Sequence, residues 1–266
     1  MIENKIITLL TDFGYKDAYV GSVKGVILKI YPRVKIVDIS HQVPKFQILQ
    51  GAFILMQAAK YFPSGTIHMA VVDPGVGGNR KPIVIETEHY IFVGPDNGIL
   101  TLAASNDGIK HVFKIENEKY LLPHPSKTFA GRDIFAPIAA HIAKGAPPSD
   151  VGPEVNKFSI VKMPKPKIRD RIISGKVLFV DSFGNLITNI RDSDIKGKIK
   201  TGQKILVEIK NSTLKLPFLN AYTNVEKGKA LVLIGSSNFL EIGVNQGDAS
   251  KKFGSISAGT EVTIKI

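Results

Sequence analysis

The chain has 266 residues, 44% of them hydrophobic, with a mean hydropathy of +0.08, a composition that suits two globular domains and excludes a disordered chain. It has no cysteine, which excludes disulfides, thiolate zinc sites and cysteine nucleophiles; with no run near the roughly 18 apolar residues of a membrane span, a cytoplasmic, membrane-free protein is expected. The net charge of +12 lies mostly in the second half, with 17 Lys and Arg against 14 acids in residues 1–160 but 18 against 9 in residues 161–266; these lysines are scattered and lack interleaved aromatics, so a solvated basic surface is favoured and nucleic acid is not expected as a partner.

The opening residues, MIENKIITLL, contain an acid and too short an apolar run for a signal peptide. Residues 6–10 read as a buried strand delivering Thr11-Asp12-Phe13-Gly14, with Asp17 five residues beyond Asp12. The kinase meaning of Asp-Phe-Gly fails, because nothing upstream has room for a glycine-rich loop and a lysine. Val20, Val23, Ile27 and Ile30 follow helical spacing, which Tyr31-Pro32 ends. Residues 34–39 form the next strand, followed by a loop with His41, Pro44 and Phe46 and an apolar helix over 47–61. Phe46 is either a core residue or an aromatic wall for a ligand, and core is the commoner role.

Residues 67–72 are a buried strand that Pro74 stops. Asp73 then lies at a carboxyl edge, where α/β sheets place their chemistry. Gly75, Gly77 and Gly78 let backbone approach a ligand closely, and Arg80 is near enough to reach the Asp73 carboxylate or whatever it holds. The alternative is a solvated surface turn. Alternating strands and helices imply an α/β domain with a mainly parallel sheet. Residues 83–86 and 90–93 are further strands, and Pro95-Asp96-Asn97-Gly98 is a turn whose chemistry accounts for Asp96. In PSKTFAGRDIFAP (125–137), Thr128, Gly131, Arg132 and Asp133 precede a helix that Asp133 is placed to cap.

Residues 157–171, rich in lysine and proline, read as a linker, dividing the chain into domains 1–165 and 166–266. Strand-like runs at 172–180, 186–190, 205–209, 231–234 and 262–266, without a long helix, predict a smaller all-β, barrel-like or sandwich domain. It carries Asp181-Ser182-Phe183-Gly184-Asn185, Thr188, Asn189 and Ser236 to Glu241. An amide, hydroxyls and a carboxylate beside phenylalanines suit an adenine-sized ligand, although ordinary turn composition explains each piece. The six histidines lack the paired spacing of a metal site, and no phosphate loop, dinucleotide fingerprint or nucleophile elbow is present.

TDFG (11–14), DPGVGG (73–78) with Arg80, PDNG (95–98), TFAGRDIFAP (128–137), DSFGN (181–185) and SSNFLEI (236–242) occur in an order that resembles the S-adenosylmethionine hydroxide adenosyltransferases. These are water-using relatives of fluorinase and chlorinase, and the resemblance covers nearly the whole chain. It implies cleavage of S-adenosylmethionine at its 5′ carbon by water or hydroxide, giving adenosine and methionine, with some relatives acting on the (R)-sulfonium form. S-adenosylmethionine is then the substrate, and no cofactor is implied. By the same resemblance Asp12 holds the ribose diol, Phe46 walls the ribose, and Asp73 and Arg80 position the water. Asp17, Asp181 and Ser236 receive the methionine end; Phe183, Asn185, Tyr222 and the Val244-Asn245 backbone surround adenine, and Glu241 joins the substrate-binding set. The family is trimeric, with each site between one subunit's N-domain and a neighbour's C-domain. One position departs from the pattern: the hydrolases carry histidine and the halogenases tyrosine where this chain has Ala130. The expectation is impaired turnover, or a binding module without turnover.

Overall fold

Buried strands in the first half alternate their side chains between two apolar layers, which is what a sheet covered on both faces requires. A computed structural model describes residues 5–266; the first four residues, part of the stretch read as no signal peptide, lie outside it. Two compact units are resolved, the first ending at Lys162 and the second running Met163–Ile266. No helix among the described residues is long and apolar enough to cross a membrane.

In the first unit the elements run β1 (Ile6–Thr11), α1 (Tyr19–Ile30), β2 (Lys35–Ser40), α2 (Ile48–Ala59), β3 (Ile67–Val71), β4 (Pro82–Thr87), β5 (Ile91–Pro95), α3 (Thr101–Asp107), β6 (Ile109–Lys114) and α4 (Ala136–Lys144). The sheet order is β2-β1-β3-β5-β4-β6, and β4 alone runs against the others. Ile7, Leu9, Met69 and Val71 face one apolar layer with α1 and α4. Leu10, Ala70, Val72 and Phe92 face the other, with α2 and α3. This is the expected mainly parallel α/β domain, but β4 and β5 form an antiparallel hairpin that the sequence reading took simply as successive strands.

The stretch read as a linker is not free chain. Ser159 N donates to Asp96 Oδ1 at 2.6 Å, Val161 N to Thr101 Oγ1 at 3.1 Å, and Phe158 packs against the apolar layer of Phe92. Beyond Lys162 it becomes β7 (Lys167–Arg169). Its lysines are exposed to water while several of its backbone groups find partners, as backbone polar groups must.

In the second unit β7 pairs with β8 (Ile172–Val180), and the remaining strands are β9 (Leu186–Arg191), β10 (Lys204–Ile209), β11 (Ser212–Pro217), β12 (Ala230–Ile234), β13 (Phe239–Val244) and β14 (Glu261–Lys265). The order is β11-β10-β14-β8-β9-β13-β12, every pairing being antiparallel. A bridge between Phe218 and Val232, with Leu219 N donating to Val232 O at 2.9 Å, brings the two ends of the sheet nearly together. The result is the barrel-like all-β unit expected, around Ile173, Val207, Val232, Leu240 and Ile264.

One core residue makes the first unit sensitive to acid. The β1–β3 register sets Thr8 opposite His68, whose Nδ1 lies 2.7 Å from Thr8 Oγ1. The fully buried ring stacks on Phe92 and meets Phe62 and Tyr90 edge-on, and its Nε2 has no hydrogen-bond partner among the described residues. Burial pushes its pKa down from 6.5 to about 4. Between those values the unfolded chain holds a proton that the folded chain refuses, so stability falls as pH drops through this window. We expect unfolding by urea to show a loss of about 3 kcal/mol between pH 7 and pH 4 in the parent relative to His68→Phe. Parallel pH profiles for the two proteins would contradict this.

Candidate active site

Parallel strands that end at the same level deliver their following residues to one sheet edge. Thr11 of β1 pairs with Val71 of β3, so Asp12 and Asp73 emerge together at the carboxyl ends of neighbouring strands. A cleft of about 550 Å³ opens there, lined among others by Asp12, Tyr19, Phe46, Asp73 and Ala130. Its size suits a nucleoside-scale ligand.

The loop after β3 folds back as its glycines allow. Val76 N reaches Asp73 O at 3.2 Å and Gly78 N reaches Gly75 O at 3.0 Å, while Gly77 takes a φ of +77°. A Cβ on Gly77 would lie 2.5 Å from Lys127 O, so this glycine permits the approach of the 125–131 loop. Arg80 therefore returns to Asp73: Nε donates to Oδ1 at 3.1 Å and to Oδ2 at 2.9 Å, and Nη2 to Oδ2 at 2.6 Å. The guanidinium lies over the Phe135 ring, 5.4 Å from its centroid. With the Asp73 carboxylate only 5% exposed, removing Arg80 would leave a buried charge uncompensated. Behind the pair, Asn97 Nδ2 donates to Val72 O at 2.9 Å, which ties the PDNG turn to the residue before Asp73.

Asp12 is satisfied differently. Its Oδ2 accepts the Phe46 N–H at 2.9 Å, and the Lys45 ammonium donates to its carbonyl oxygen. To present that N–H, Phe46 adopts a φ of +65°, a conformation that costs a non-glycine residue about 1–2 kcal/mol. Its ring is 65% exposed at the cleft, so the core role favoured from sequence is wrong: the backbone is held by Asp12, and the side chain is turned out. Phe13, Tyr19 and Phe129 form another wall, their rings edge-to-face with centroids 5.2–6.0 Å apart. Asp17 is exposed and does not line this cleft.

Ala130 is buried at the base of the same wall and immediately precedes a π-helical turn, Gly131–Phe135, that leads into α4. Such turns concentrate at functional sites. Asp133 does not cap the helix as expected. The extra residue of the π turn swings its carboxylate inward, where it accepts Ser126 N at 2.8 Å and pairs with Arg132 at 2.6 Å. Those bonds hold the loop that carries Ala130, and burial opposes them: the Arg132 and Ser126 donors keep the Asp133 carboxyl below its ordinary pKa although desolvation pushes it up.

In the second unit, the Asp181 carboxylate organises the DSFGN turn. Its Oδ1 accepts Phe183 N at 3.0 Å and Asn185 N at 2.8 Å, and its Oδ2 accepts Asn185 Nδ2 at 2.9 Å. The Phe183 ring projects outward, 76% exposed. Tyr222 donates its hydroxyl to Glu241 Oε2 at 3.0 Å, and burial raises the pKa of both groups. A Cβ on Gly243 would lie 2.5 Å from the Tyr222 ring and 2.9 Å from Asn185 Oδ1, which places Asn185, Tyr222 and Glu241 in one patch. Ser236 is exposed on the β12–β13 turn. Val244 is buried at the end of β13, and the Asn245 backbone is already bonded to Lys229 O and Gly228 N.

Sequence reasoning missed Lys45, Phe13, Tyr19 and Phe129 as lining residues, and Gly243 as the residue that admits the Tyr222 ring. Phe13 and Phe129 stand inside motifs that were noticed for their polar members, and nothing in the spacing marks Lys45.

The SAM hydroxide adenosyltransferase N-terminal domain matches residues 7–152 and the corresponding C-terminal domain residues 175–263. An (R)-S-adenosyl-L-methionine hydrolase of Methanocaldococcus jannaschii is 41% identical, with 92% of this chain and 90% of that protein aligned. One from Thermus thermophilus is 35% identical over 93% and 95%, and a fluorinase of Actinoplanes is 26% identical over 98% and 97%. The crystal structure of an uncharacterized conserved protein from Thermotoga maritima superposes with a TM-score of 0.93 at 40% identity, covering 98% of this chain and all of that one. With both domains matched in order around the Asp12 and Asp73 strand ends, the chain belongs to the SAM hydroxide adenosyltransferase family.

Proposed function

We propose that this chain hydrolyses S-adenosyl-L-methionine, in its (R)-sulfonium form, to adenosine and L-methionine. The observation that carries the reading is that Asp73, paired with Arg80, lines a nucleoside-sized cleft together with Asp12; the names of the relatives supply the (R) form. Oxygen from water bonds to C5′ as the C5′–S bond breaks, its electron pair goes to sulfur, and one proton is released. A sulfonium is already a good leaving group, so neither a general acid nor a cofactor is needed. The protein must hold the two reactants in line and supply an activated oxygen.

Asp12 receives the ribose diol in this reading, because one of its oxygens takes only the Phe46 N–H and keeps a lone pair for a hydroxyl. The exposed Phe46 ring walls the sugar. Asp17, Asp181 and Ser236 serve the methionine end, while Phe183, Asn185, Tyr222, Glu241, Val244 and Asn245 serve adenine. Arg80 bonds Asp73 through Nε and Nη2, leaving guanidinium N–H groups to hold the water or its hydroxide. It cannot take the proton, since guanidinium stays charged. Asp73 already accepts the Arg80 guanidinium. The methyl of Ala130 offers nothing, so the chain binds well and turns over slowly. That residue is also what favours the second reading, a module that binds S-adenosylmethionine or adenosine without turnover.

Chromatography after incubation with separated (R) and (S) diastereomers tests the reaction directly, with adenosine and methionine expected in equal amounts from the (R) form. Product from neither form would favour the binding module. Introducing an imidazole by Ala130→His should raise adenosine release at least about tenfold, as a positioned acid–base group contributes 10² to 10⁴, with ligand affinity little changed; equal rates would show that the oxygen is activated without this position. Asp12→Asn should weaken adenosine binding by about 1.5–3 kcal/mol in calorimetry, the worth of a hydrogen bond to a charged group, and undiminished affinity would remove Asp12 from the ribose. The family resemblance further supports a homotrimer in which a neighbour's C-terminal unit completes each site, so light scattering should give three times 29.0 kDa; a monomeric mass would exclude that arrangement.

A further inference from the structure

Asp12 sits between two residues whose positions are fixed by a polar chain that the proposed chemistry does not use. Thr11 Oγ1 lies 2.7 Å from His41 Nδ1, and His41 Nε2 lies 3.1 Å from Asp38 Oδ1. Asp38 Oδ2 in turn accepts the Lys24 ammonium at 2.7 Å and the Tyr15 hydroxyl at 3.2 Å. Thr11 and His41 are each 1% exposed. The same Thr11 oxygen accepts the Phe13 N–H at 3.2 Å.

Counting donors and acceptors fixes the direction of the chain. Neutral imidazole has one N–H. His41 Nε2 and Asp38 Oδ1 face each other at 3.1 Å, and neither has a hydrogen-bond partner among the described residues. A carboxylate oxygen 3.1 Å away nevertheless favours the proton on Nε2 whatever the angle, because a lone pair there would face a negative charge. Nδ1 is then an acceptor, so the Thr11 hydroxyl must donate to it, which leaves the Thr11 lone pairs for Phe13 N–H. The opposite tautomer would give Thr11 two incoming donors and strand its own buried proton. Burial pushes the His41 pKa down against the raising effect of Asp38, consistent with a neutral ring. Two backbone bonds close the same seam: Gly14 N donates to His41 O at 2.7 Å and Val43 N to Thr11 O at 3.3 Å.

We propose that Asp38, facing His41, sets the tautomer in which His41 accepts the Thr11 hydroxyl, and that this arrangement positions Asp12 for its ligand, with Thr11 as the positioning residue that grips both sides of the carboxylate-bearing turn. The inference rests on the reading of Asp12 as the ribose anchor. It separates the role of the Thr11 hydroxyl from that of its bulk. Thr11→Val keeps the shape and removes the hydroxyl, whereas Thr11→Ser keeps the hydroxyl and removes a methyl.

Adenosine affinity by calorimetry on the full chain should fall about tenfold in Thr11→Val, the effect of one buried hydrogen bond left unmade, and stay within about threefold in Thr11→Ser. Where turnover is measurable, KM should rise with kcat nearly unchanged, since Asp12 holds the sugar and not the reacting atoms. Nitrogen-15 spectra of the ligand-free parent should show His41 neutral with its proton on Nε2. Equal affinity in Thr11→Val and the parent, or equal losses in Val and Ser, would overturn the positioning role while leaving the proposed function standing. A His41 proton on Nδ1 would overturn it without any ligand. A parent that binds no adenosine at all would overturn the proposed function and this role with it.

Discussion

Two carboxylates brought to one sheet edge repel each other and resist burial, and the first unit is arranged around satisfying both. The pairing of β1 with β3 makes the proximity unavoidable once each strand is followed by an aspartate. Charged groups in such surroundings must be paired or hydrogen-bonded. Asp73 obtains a guanidinium in side-on, partly bidentate contact. Asp12 obtains a backbone N–H, with an ammonium on its own carbonyl. The difference matters chemically: Asp73 is spent largely on its arginine, whereas Asp12 keeps free acceptor capacity facing the cleft. Each solution has a conformational consequence, the glycine-rich return loop in one case and the left-handed Phe46 in the other.

That constraint explains what was legible in the sequence. β1 and β3 are almost entirely buried, so their runs are mostly apolar, interrupted by Thr8 and His68, and end abruptly at Asp12 and at Asp73-Pro74. Arg80 could be tied to Asp73 because three glycines between them leave few other purposes for so flexible a loop. β6, β11 and β13 were harder. The first two are edge strands with exposed lysines, which blur alternation. β13 contains Glu241 in a fully buried strand, and a carboxylate there looks like a loop residue until Tyr222 is seen to bond it. Local pattern cannot reveal a partner 19 residues away.

The same limit accounts for the misplaced roles of Phe46 and Asp133. Phe46 was assigned by the usual behaviour of phenylalanine, but its conformation is decided by an acceptor 34 residues earlier. Asp133 was assigned by its position before a helix, but a π turn shifts its side chain inward, towards Ser126. In both cases a carboxylate–backbone bond, across 34 residues for Phe46 and seven for Asp133, overrides a local preference. The lysine-rich stretch at 157–171 follows the same rule in reverse, because a polar composition said nothing about backbone partners on Asp96 and Thr101.

In the proposed reaction a sulfonium and water become adenosine, methionine and a released proton, so the positive charge on sulfur is dispersed as the transition state is approached. Apolar surroundings favour that change, and Phe13, Tyr19 and Phe129 form an edge-to-face aromatic wall on the cleft. The requirement this leaves unmet is disposal of a proton. Bulk water, with a pKa near 15.7, has to lose one during attack; Arg80 cannot accept it, and Asp73 is held as the partner of Arg80. Ala130 occupies a wall of this cleft on a loop braced by Asp133 and Arg132. The Ala130 methyl packs against the first core and, in the proposed reaction, offers no proton acceptor.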